Sequence, residues 1–256
     1  MFRNPFDGAR AKIERSHAHF QELIAAEREF GKAQALTIEI EPQPNGDTIV
    51  FAKIAILPTS AHEAIVADIV GNFRASLDIA VSQACRIRGE TDPKKLEKTY
   101  FAFGGSEKDW TNNLVNRMAG ADQLIRDTVK DFRPWKEDGN VLYALSKIVA
   151  NDKHVDLVTV SARTGEMRID GLKLSRGDGL RCGVQGRVPV WGSADRVDIL
   201  TVLAPAKVEI SGPCVIEARF GFGDVYAVTG SPVIPTLHQM GNICEKIVDA
   251  LDAAVS

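Results

Sequence analysis

Residues 60–88 read SAHEAIVADIVGNFRASLDIAVSQACRIR, and this stretch decides the fold class because its apolar residues recur at helical spacing. The apolar stripe consists of Ile65, Val66, Ile69, Val70, Phe73, Leu77, Ala80, Val81 and Ala84. Ser60 is a suitable N-cap residue, and Glu63 three positions later completes a capping-box pattern. The sequence therefore predicts one long amphipathic helix that runs from Ser60 to about Arg88.

The chain before this helix combines a second helix with a β-hairpin. Apolar side chains at helical spacing predict a helix over residues 8–33, and Gly31 suits its end. Residues 36–57 alternate apolar and polar side chains on both sides of Asn45-Gly46, a dipeptide typical of tight hairpin turns. We therefore expect a hairpin between the two long helices.

The chain after residue 88 is first helical and then rich in strands. Three further helices are predicted, at about 107–118, 121–132 and 140–152. Four strands are predicted beyond them, at 155–162, 166–169, 197–203 and 215–222. Strands that follow a run of helices indicate an α+β protein. We expect a mainly helical unit, residues 1–152 with hairpin 36–57, and an antiparallel β-rich unit, residues 153–256, as two domains or one fused domain.

A closing helix is predicted at roughly Thr236–Ala254. It is amphipathic, with an apolar stripe formed by Leu237, Met240, Ile243, Ile247, Val248 and Leu251. We expect this stripe to cover the β-rich unit. The same stripe could instead form the interface of a homodimer.

Composition and charge narrow the location and the partners of the protein. A formal net charge of −3 gives no global positive field that would draw the protein onto nucleic acid. The N-terminus lacks the apolar segment of a signal peptide, and no run reaches the roughly 18 apolar residues that a membrane span needs. We therefore expect a cytoplasmic protein with no membrane partner.

The sequence carries no recognisable cofactor or metal motif. It has no Walker A sequence and no GxSxG elbow, and its histidines lack the i, i+4 spacing of a helical metal pair. The four cysteines form no CxxC pair and are expected to be free thiols: Cys85, Cys182, Cys214 and Cys244. We therefore predict no cofactor and no metal.

Charged residues on the apolar faces of two predicted helices are the main clue to a site. Arg74 lies at the edge of the stripe in the helix 60–88, and Asp78 follows one turn later on the same side. Asp152 falls near the centre of the apolar face of the helix 140–152, where an unpaired carboxylate would be costly. Because a guanidinium binds a carboxylate through two hydrogen bonds, we predict that Arg74 contacts Asp152.

Two interpretations of this cluster remain open. A polar clamp would hold the two helices in register through Arg74, Asp78, Asn151, Asp152 and Lys153. A functional site would instead use Arg74 and His154 as its candidate catalytic residues. We favour the clamp, because an Arg and an Asp one turn apart on a helix are most often a structural pair.

The same residues carry a resemblance to an uncharacterised bacterial protein family. Asn72-Phe73-Arg74-Ala75-Ser76-Leu77-Asp78 resembles the family's N-x-R-x-x-L-D-H helix, and Asn151-Asp152-Lys153-His154 resembles its N-x-x-D-K-H helix end. Between them, Phe101-Ala102-Phe103 resembles an F-P-F segment, and Arg133-Pro134-Trp135 through Asn140 resembles a K-P-Y…G-G-N stretch. The resemblance spans about residues 60–160 in the same order.

The family's Arg-x4-His spacing in turn resembles the ribonuclease signature of HEPN domains, which are helical domains that often cleave RNA. The resemblance implies that an Arg stabilises charge on a phosphate while a His transfers the proton. Ile79 stands here where that His would be, so only Arg74 and Asp78 match the signature. An imidazole would have to come from His154 on the other helix.

Three functions are therefore considered. The first is a non-catalytic binding or interaction protein, and the second is a HEPN-like protein that acts on RNA or a nucleotide. The third is a small-molecule enzyme or ligand-binding protein with a pocket between the helical and β-rich units. We favour the first, because the chain is slightly acidic, the motif histidine is missing and no complete catalytic set is present.

Overall fold

The structure is a computed structural model that describes residues 4–33, 36–54, 57–137, 140–154, 160–169, 172–175, 196–210, 214–223 and 228–256. The described helices are α1 (Asp7–Lys32), α2 (Ser60–Ile87), α3 (Pro93–Glu97), α4 (Glu107–Arg117), α5 (Gln123–Lys130), α6 (Val141–His154) and α7 (Val233–Val255). The described strands are β1 (Leu36–Pro42), β2 (Thr48–Ile54), β3 (Val160–Ile169), β4 (Leu172–Ser175), β5 (Arg196–Val202), β6 (Lys207–Ile210) and β7 (Cys214–Phe222). The predicted α+β class is confirmed.

The helix α2 has the predicted length, but its cap differs from the prediction. Its N-cap residue is Thr59 rather than Ser60, and the backbone N–H of Thr59 donates to Nδ1 of His62 at 2.9 Å. His62 thus takes the part predicted for Glu63. A shift of one residue is a common error, because Thr and Ser are both good N-cap residues.

The predicted hairpin is confirmed and extends into a larger sheet. Strands β1 and β2 pair antiparallel around Gly46, whose φ of +88° lies in the left-handed region that favours glycine. On its other edge β2 pairs antiparallel with β5, which gives a three-stranded sheet in the order β1-β2-β5. Because β2 and β5 belong to different predicted units, one sheet joins those units.

The remaining described strands form two antiparallel pairs, β3 with β7 and β4 with β6. The strand predicted at 166–169 is not separate from its predecessor. It belongs to β3, whose register against β7 shifts between Thr164 and Met167. A β-bulge of this kind accommodates the Arg163-Thr164-Gly165 stretch within one strand. Residues 155–159, the start of the other predicted strand, lie outside the described residues.

Two helix carboxylates attach the β3–β7 pair to the helices. Glu27 of α1, which is only 7% exposed, accepts hydrogen bonds from the backbone N–H of Phe220 at 2.9 Å and from Arg219 at 3.2 Å. Glu63 of α2 accepts a hydrogen bond from the backbone N–H of Val160 at 3.3 Å. The apolar core is therefore continuous from the helices to this strand pair.

The closing helix α7 packs differently from our expectation. It lies mainly along α2 and α1 and touches β7 only lightly, so it belongs to the helical part rather than covering the β-rich part. Its apolar stripe is buried in the core of the same chain and is not a free dimer surface. Helical spacing shows that a face is buried but does not identify the element that buries it.

A glycine sets how closely α7 approaches α2. A Cβ added to Gly241 would lie 3.0 Å from Cζ of Phe73, a side chain that is 2% exposed. A side chain at position 241 would therefore require the ring of Phe73 to shift by a few tenths of an ångström.

Candidate functional site

Arg74 and Asp78 form an ion pair on α2. Nε of Arg74 lies 3.0 Å from Oδ2 of Asp78, and Nη2 lies 2.9 Å from Oδ1. The two side chains are 14% and 33% exposed, so water screens the pair only in part. The spacing predicted this pairing, and the structure shows it to be more buried than an ordinary surface pair.

The pair also binds the backbone of Phe101, which lies between α3 and α4. Nη2 of Arg74 donates to the carbonyl oxygen of Phe101 at 2.8 Å, and the N–H of Phe101 donates to Oδ1 of Asp78 at 2.9 Å. The guanidinium also lies 4.7 Å from the ring centroid of Phe103. One ion pair therefore satisfies both backbone groups of a residue outside regular secondary structure.

Backbone contacts fix the rest of this segment, which we call the 101–105 segment. Nε1 of Trp110 donates to the carbonyl oxygen of Ala102 at 2.9 Å. The N–H of Gly104 donates to the carbonyl oxygen of Pro134 at 3.0 Å, and the carbonyl oxygen of Gly104 accepts from the backbone N–H of Lys136 at 3.1 Å. The segment is therefore held both by α4 and by the chain that leads to α6.

Asn140 connects that chain to the start of α6. Its Nδ2 donates to the carbonyl oxygens of Arg133 and Trp135, each at 2.8 Å. Its Oδ1 accepts a hydrogen bond from the N–H of Tyr143 at 3.0 Å, as a residue at a helix N-terminus does. The described residues that carry the family resemblance thus hold a single scaffold around the 101–105 segment.

This scaffold forms one wall of a cleft of about 770 Å³. Its lining residues come from α2, the chain around the 101–105 segment, α4 and α6, all between Arg74 and Ala150. The cleft therefore lies within the predicted helical unit, whereas our third hypothesis placed a pocket between that unit and the β-rich one. Its volume is in the range of sites for small organic ligands.

The part of the lining on α4 and α6, which we call the second wall, carries two cations that the sequence did not single out. Nζ of Lys147, on α6, lies 5.2 Å from the ring centroid of Tyr143. Cζ of Arg117, on α4, lies 6.0 Å from the ring centroid of Tyr100. All four residues line the cleft. Neither cation has a carboxylate partner among the residues that the structure describes.

Other polar groups on this wall also lack a partner. Tyr143 lines the cleft, and its hydroxyl makes no hydrogen bond within the described parts of the chain. The same holds, within those parts, for the hydroxyl of Tyr100 and for the side-chain amide of Asn113, which also line the cleft. Hydrogen-bonding groups of this wall are therefore available to a ligand.

The charge of the cleft is opposite in sign to that of the whole chain. Its described lining contains three cations, Arg74, Arg117 and Lys147, and two carboxylates, Asp78 and Asp109. Asp78 pairs with Arg74, so the second wall carries two positive charges against the single negative charge of Asp109. This local excess contrasts with the formal net charge of −3 of the chain.

The structure describes the second predicted motif only through its backbone. Residues Asn151-Asp152-Lys153-His154 form the end of α6, and α6 packs against α2 as predicted. Their side chains lie outside the described residues, so the contact between Arg74 and Asp152 and the role of His154 stay predictions.

Position 79 lies on a different face of α2 from Arg74. A Cβ added to Gly8 of α1 would lie 3.7 Å from Cγ2 of Ile79, so this side chain faces α1. Five residues along a helix correspond to a rotation of about 140° between side chains. A histidine at position 79 would therefore not share the cleft with Arg74.

Several other sequence predictions concern cysteines, metals and membranes. Cys85 and Cys244 are free and buried, and burial raises the pKa of the Cys85 thiol to about 12, which keeps it protonated at neutral pH. Cys182 and the side chain of Cys214 lie outside the described residues. Within the described ranges, no three His, Cys, Asp or Glu side chains are grouped to hold a metal, and no helix has the length and apolarity to cross a bilayer.

Comparison of the chain with protein-family models, with curated proteins and with solved structures finds no match. We therefore infer the function from the cleft and its residues.

Sequence reasoning missed Arg117 and Lys147 because each is an ordinary charged residue on a solvent-facing position. A signal does exist in the spacing. Asn113 precedes Arg117 by four residues, and Tyr143 precedes Lys147 by four, so each cation shares a helix face with a polar partner. The spacing alone does not show that the two faces line one cleft.

Proposed function

We propose that this protein is a non-catalytic binding protein that takes a small anionic ligand in the cleft between α2, α4 and α6. The observation that carries the proposal is that Arg117 and Lys147 line the cleft without a carboxylate partner among the described residues. Cations that are already held over aromatic rings lose little freedom when an anion binds.

The state of Arg74 supports binding rather than catalysis. Its guanidinium already donates to Asp78 and to the carbonyl of Phe101, so it has a structural role in the absence of any ligand. The side chain of Ile79 faces α1, which also argues against catalysis. A proton-transfer residue at position 79 would be remote from the cleft.

We keep two broader expectations as parts of this proposal and a third as its alternative. Membership of the bacterial family is supported by the common scaffold that its matching residues build around the 101–105 segment. A cytoplasmic location is supported by the free thiols of Cys85 and Cys244, which persist in a reducing compartment. HEPN-like action on RNA is the alternative function, and the experiment below distinguishes it from binding of a small anion.

The test is a thermal-shift titration with small anions at low salt, using inorganic phosphate, citrate and phthalate. We expect at least one of them to raise the melting temperature of the wild type, because a ligand that binds only the folded state stabilises it. The rise should be lost in Arg117→Gln and Lys147→Gln. Lys246→Gln, which removes an exposed positive charge from α7 outside the cleft lining, should keep it.

Two results would contradict the proposal. An absence of any shift with all the anions would show that the cleft is not an anion site, and an equal loss in Lys246→Gln would show non-specific charge attraction. Cleavage of RNA by the wild type that is lost in folded Arg74→Ala would instead favour the HEPN-like alternative.

A further inference from the structure

We infer that the ligand of the cleft is a phosphate monoester, whose phosphate group binds Lys147, Arg117 and the hydroxyl of Tyr143. The inference rests on the proposed function and adds the chemical class of the anion. It depends on the number and kind of hydrogen-bond donors, on the charge that they can neutralise and on the space beside them.

The donors of the second wall outnumber what one carboxylate can accept. A guanidinium offers five N–H donors and an ammonium three, and a carboxylate has about four acceptor positions. The hydroxyls of Tyr100 and Tyr143 and the amide of Asn113 line the same cleft without a partner in the described chain. A phosphate group has three terminal oxygens that accept strong hydrogen bonds from such donors.

The charge of the wall also fits a phosphate. Two cations face the cleft here, and a phosphate monoester carries about −1.5 to −2 charges at neutral pH. A single carboxylate carries one charge, which equals the net charge of this wall once Asp109 is counted, so the number of donors separates a phosphate from a carboxylate better than the charge does. An aromatic dicarboxylate carries the same charge as a phosphate monoester, but its oxygens are not grouped as three on one atom. It is therefore the closest chemical alternative to a phosphate monoester.

The hydroxyl of Tyr143 is the most specific observation. The residue as a whole is only 7% exposed and lines the cleft, and its hydroxyl makes no hydrogen bond in the described part of the molecule. The ring is therefore fixed by packing, while the hydroxyl is open to a ligand in the cleft. Because Nζ of Lys147 lies 5.2 Å from the ring centroid, one anion can reach the ammonium while it accepts from the phenol.

The cleft has room for more than the phosphate. Its volume of about 770 Å³ exceeds the space of one phosphate group, and Phe103 and Val149 contribute apolar lining. Both side chains are largely buried, at 7% and 6% exposure, so they present a fixed surface. An organic group attached to the phosphate would pack there, which favours an ester over free phosphate.

The experiment compares phenyl phosphate, phthalate and benzoate by isothermal titration with the full chain. The three probes share a ring, and the first two share a double negative charge. We expect phenyl phosphate to bind about tenfold more tightly than phthalate, a difference of about 1.4 kcal/mol in binding free energy. Benzoate should bind most weakly. Tyr143→Phe keeps the ring beneath Lys147. It should weaken the binding of phenyl phosphate about tenfold and leave the affinity for phthalate nearly unchanged.

The outcomes separate the inference from the proposed function. If phthalate binds as tightly as phenyl phosphate, or if Tyr143→Phe leaves both affinities unchanged, the phosphate inference is wrong while the anion site stands. If none of the anions binds, both are wrong. A 5′-phosphorylated oligoribonucleotide that binds more tightly than its unphosphorylated form would support the inference and identify an RNA end as the source of the phosphate. Equal binding of the two oligonucleotides, tighter than that of phenyl phosphate, would overturn it.

Discussion

The two walls of the cleft use the same kinds of side chain for different purposes. On the α2 wall, Arg74 pairs with Asp78, and together they bind the backbone of Phe101. On the wall formed by α4 and α6, Arg117 and Lys147 lie over tyrosine rings and have no carboxylate partner in the described chain. The cation of the first wall is thus bound to a carboxylate and a backbone carbonyl, whereas the cations of the second wall have no ion pair in the described chain.

This difference teaches how to separate structural from functional charges in one cleft. A partly buried charge that is hydrogen-bonded to other protein groups stabilises the fold, and its removal leaves those groups unsatisfied. An exposed charge without an ion pair contributes little to folding and can bind a ligand. Substitutions on the α2 wall should therefore change stability, and substitutions on the wall formed by α4 and α6 should change binding.

The largest effect is expected for Gly104→Ala in the 101–105 segment. The new Cβ would lie 2.6 Å from both Cβ and the backbone nitrogen of Trp110, which α4 holds in place. We expect the free energy of unfolding to fall by about 3 kcal/mol, the upper part of the range for overpacking. Chemical denaturation of the purified variant measures this change.

Gly105→Ala is the matched control. Its Cβ would meet only Oδ2 of Asp109, at 3.1 Å, and that exposed side chain can move away. A loss of stability in Gly105→Ala as large as that in Gly104→Ala would contradict the description of a segment fixed by contacts at Gly104.

A smaller loss is expected for Arg74→Ala. This change leaves the carboxylate of Asp78 and the carbonyl of Phe101 without their guanidinium partner. Because Arg74 is 14% exposed and Asp78 is 33% exposed, we expect the unfolding free energy to fall by about 2 kcal/mol, below the value for a fully buried pair. Thermal and urea denaturation both report the change.

Arg117→Ala provides the comparison for Arg74→Ala. Arg117 is exposed and has no ion pair in the described chain, so we expect a change within about 0.5 kcal/mol. Equal destabilisation of the two variants would remove the distinction between the two walls.

Local features of the fold were predictable because neighbouring residues decide them. Asn45-Gly46 specified the hairpin turn, and the apolar stripe from Ile65 to Ala84 specified α2. The pairing of Arg74 with Asp78 followed from i, i+4 spacing in the same way. Each of these features depends on contacts within a few residues of the chain.

Features that depend on distant contacts were not predictable. The pairing of β2 with β5 and the packing of α7 along α2 join segments more than a hundred residues apart. The partner of Arg74 outside its own helix is the backbone of Phe101, and no side-chain pattern marks a backbone group as an acceptor. Arg117 and Lys147 became candidates only when the structure placed them on the same cleft.

The smallest effect is expected for Asp109→Asn, which sharpens the contrast on the binding wall itself. Asp109 lines the cleft on α4 and repels an anion held by Arg117 and Lys147. Its removal should tighten binding of phenyl phosphate about threefold at low salt, and salt should reduce the gain, because an exposed charge is screened.

Glu107→Gln removes the same charge from the same turn of α4, but Glu107 pairs with Lys130 at 3.0 Å and does not line the cleft, so it serves as the control. An affinity that does not change in Asp109→Asn, or that rises equally in Glu107→Gln, would place the bound anion away from the α4 side of the cleft.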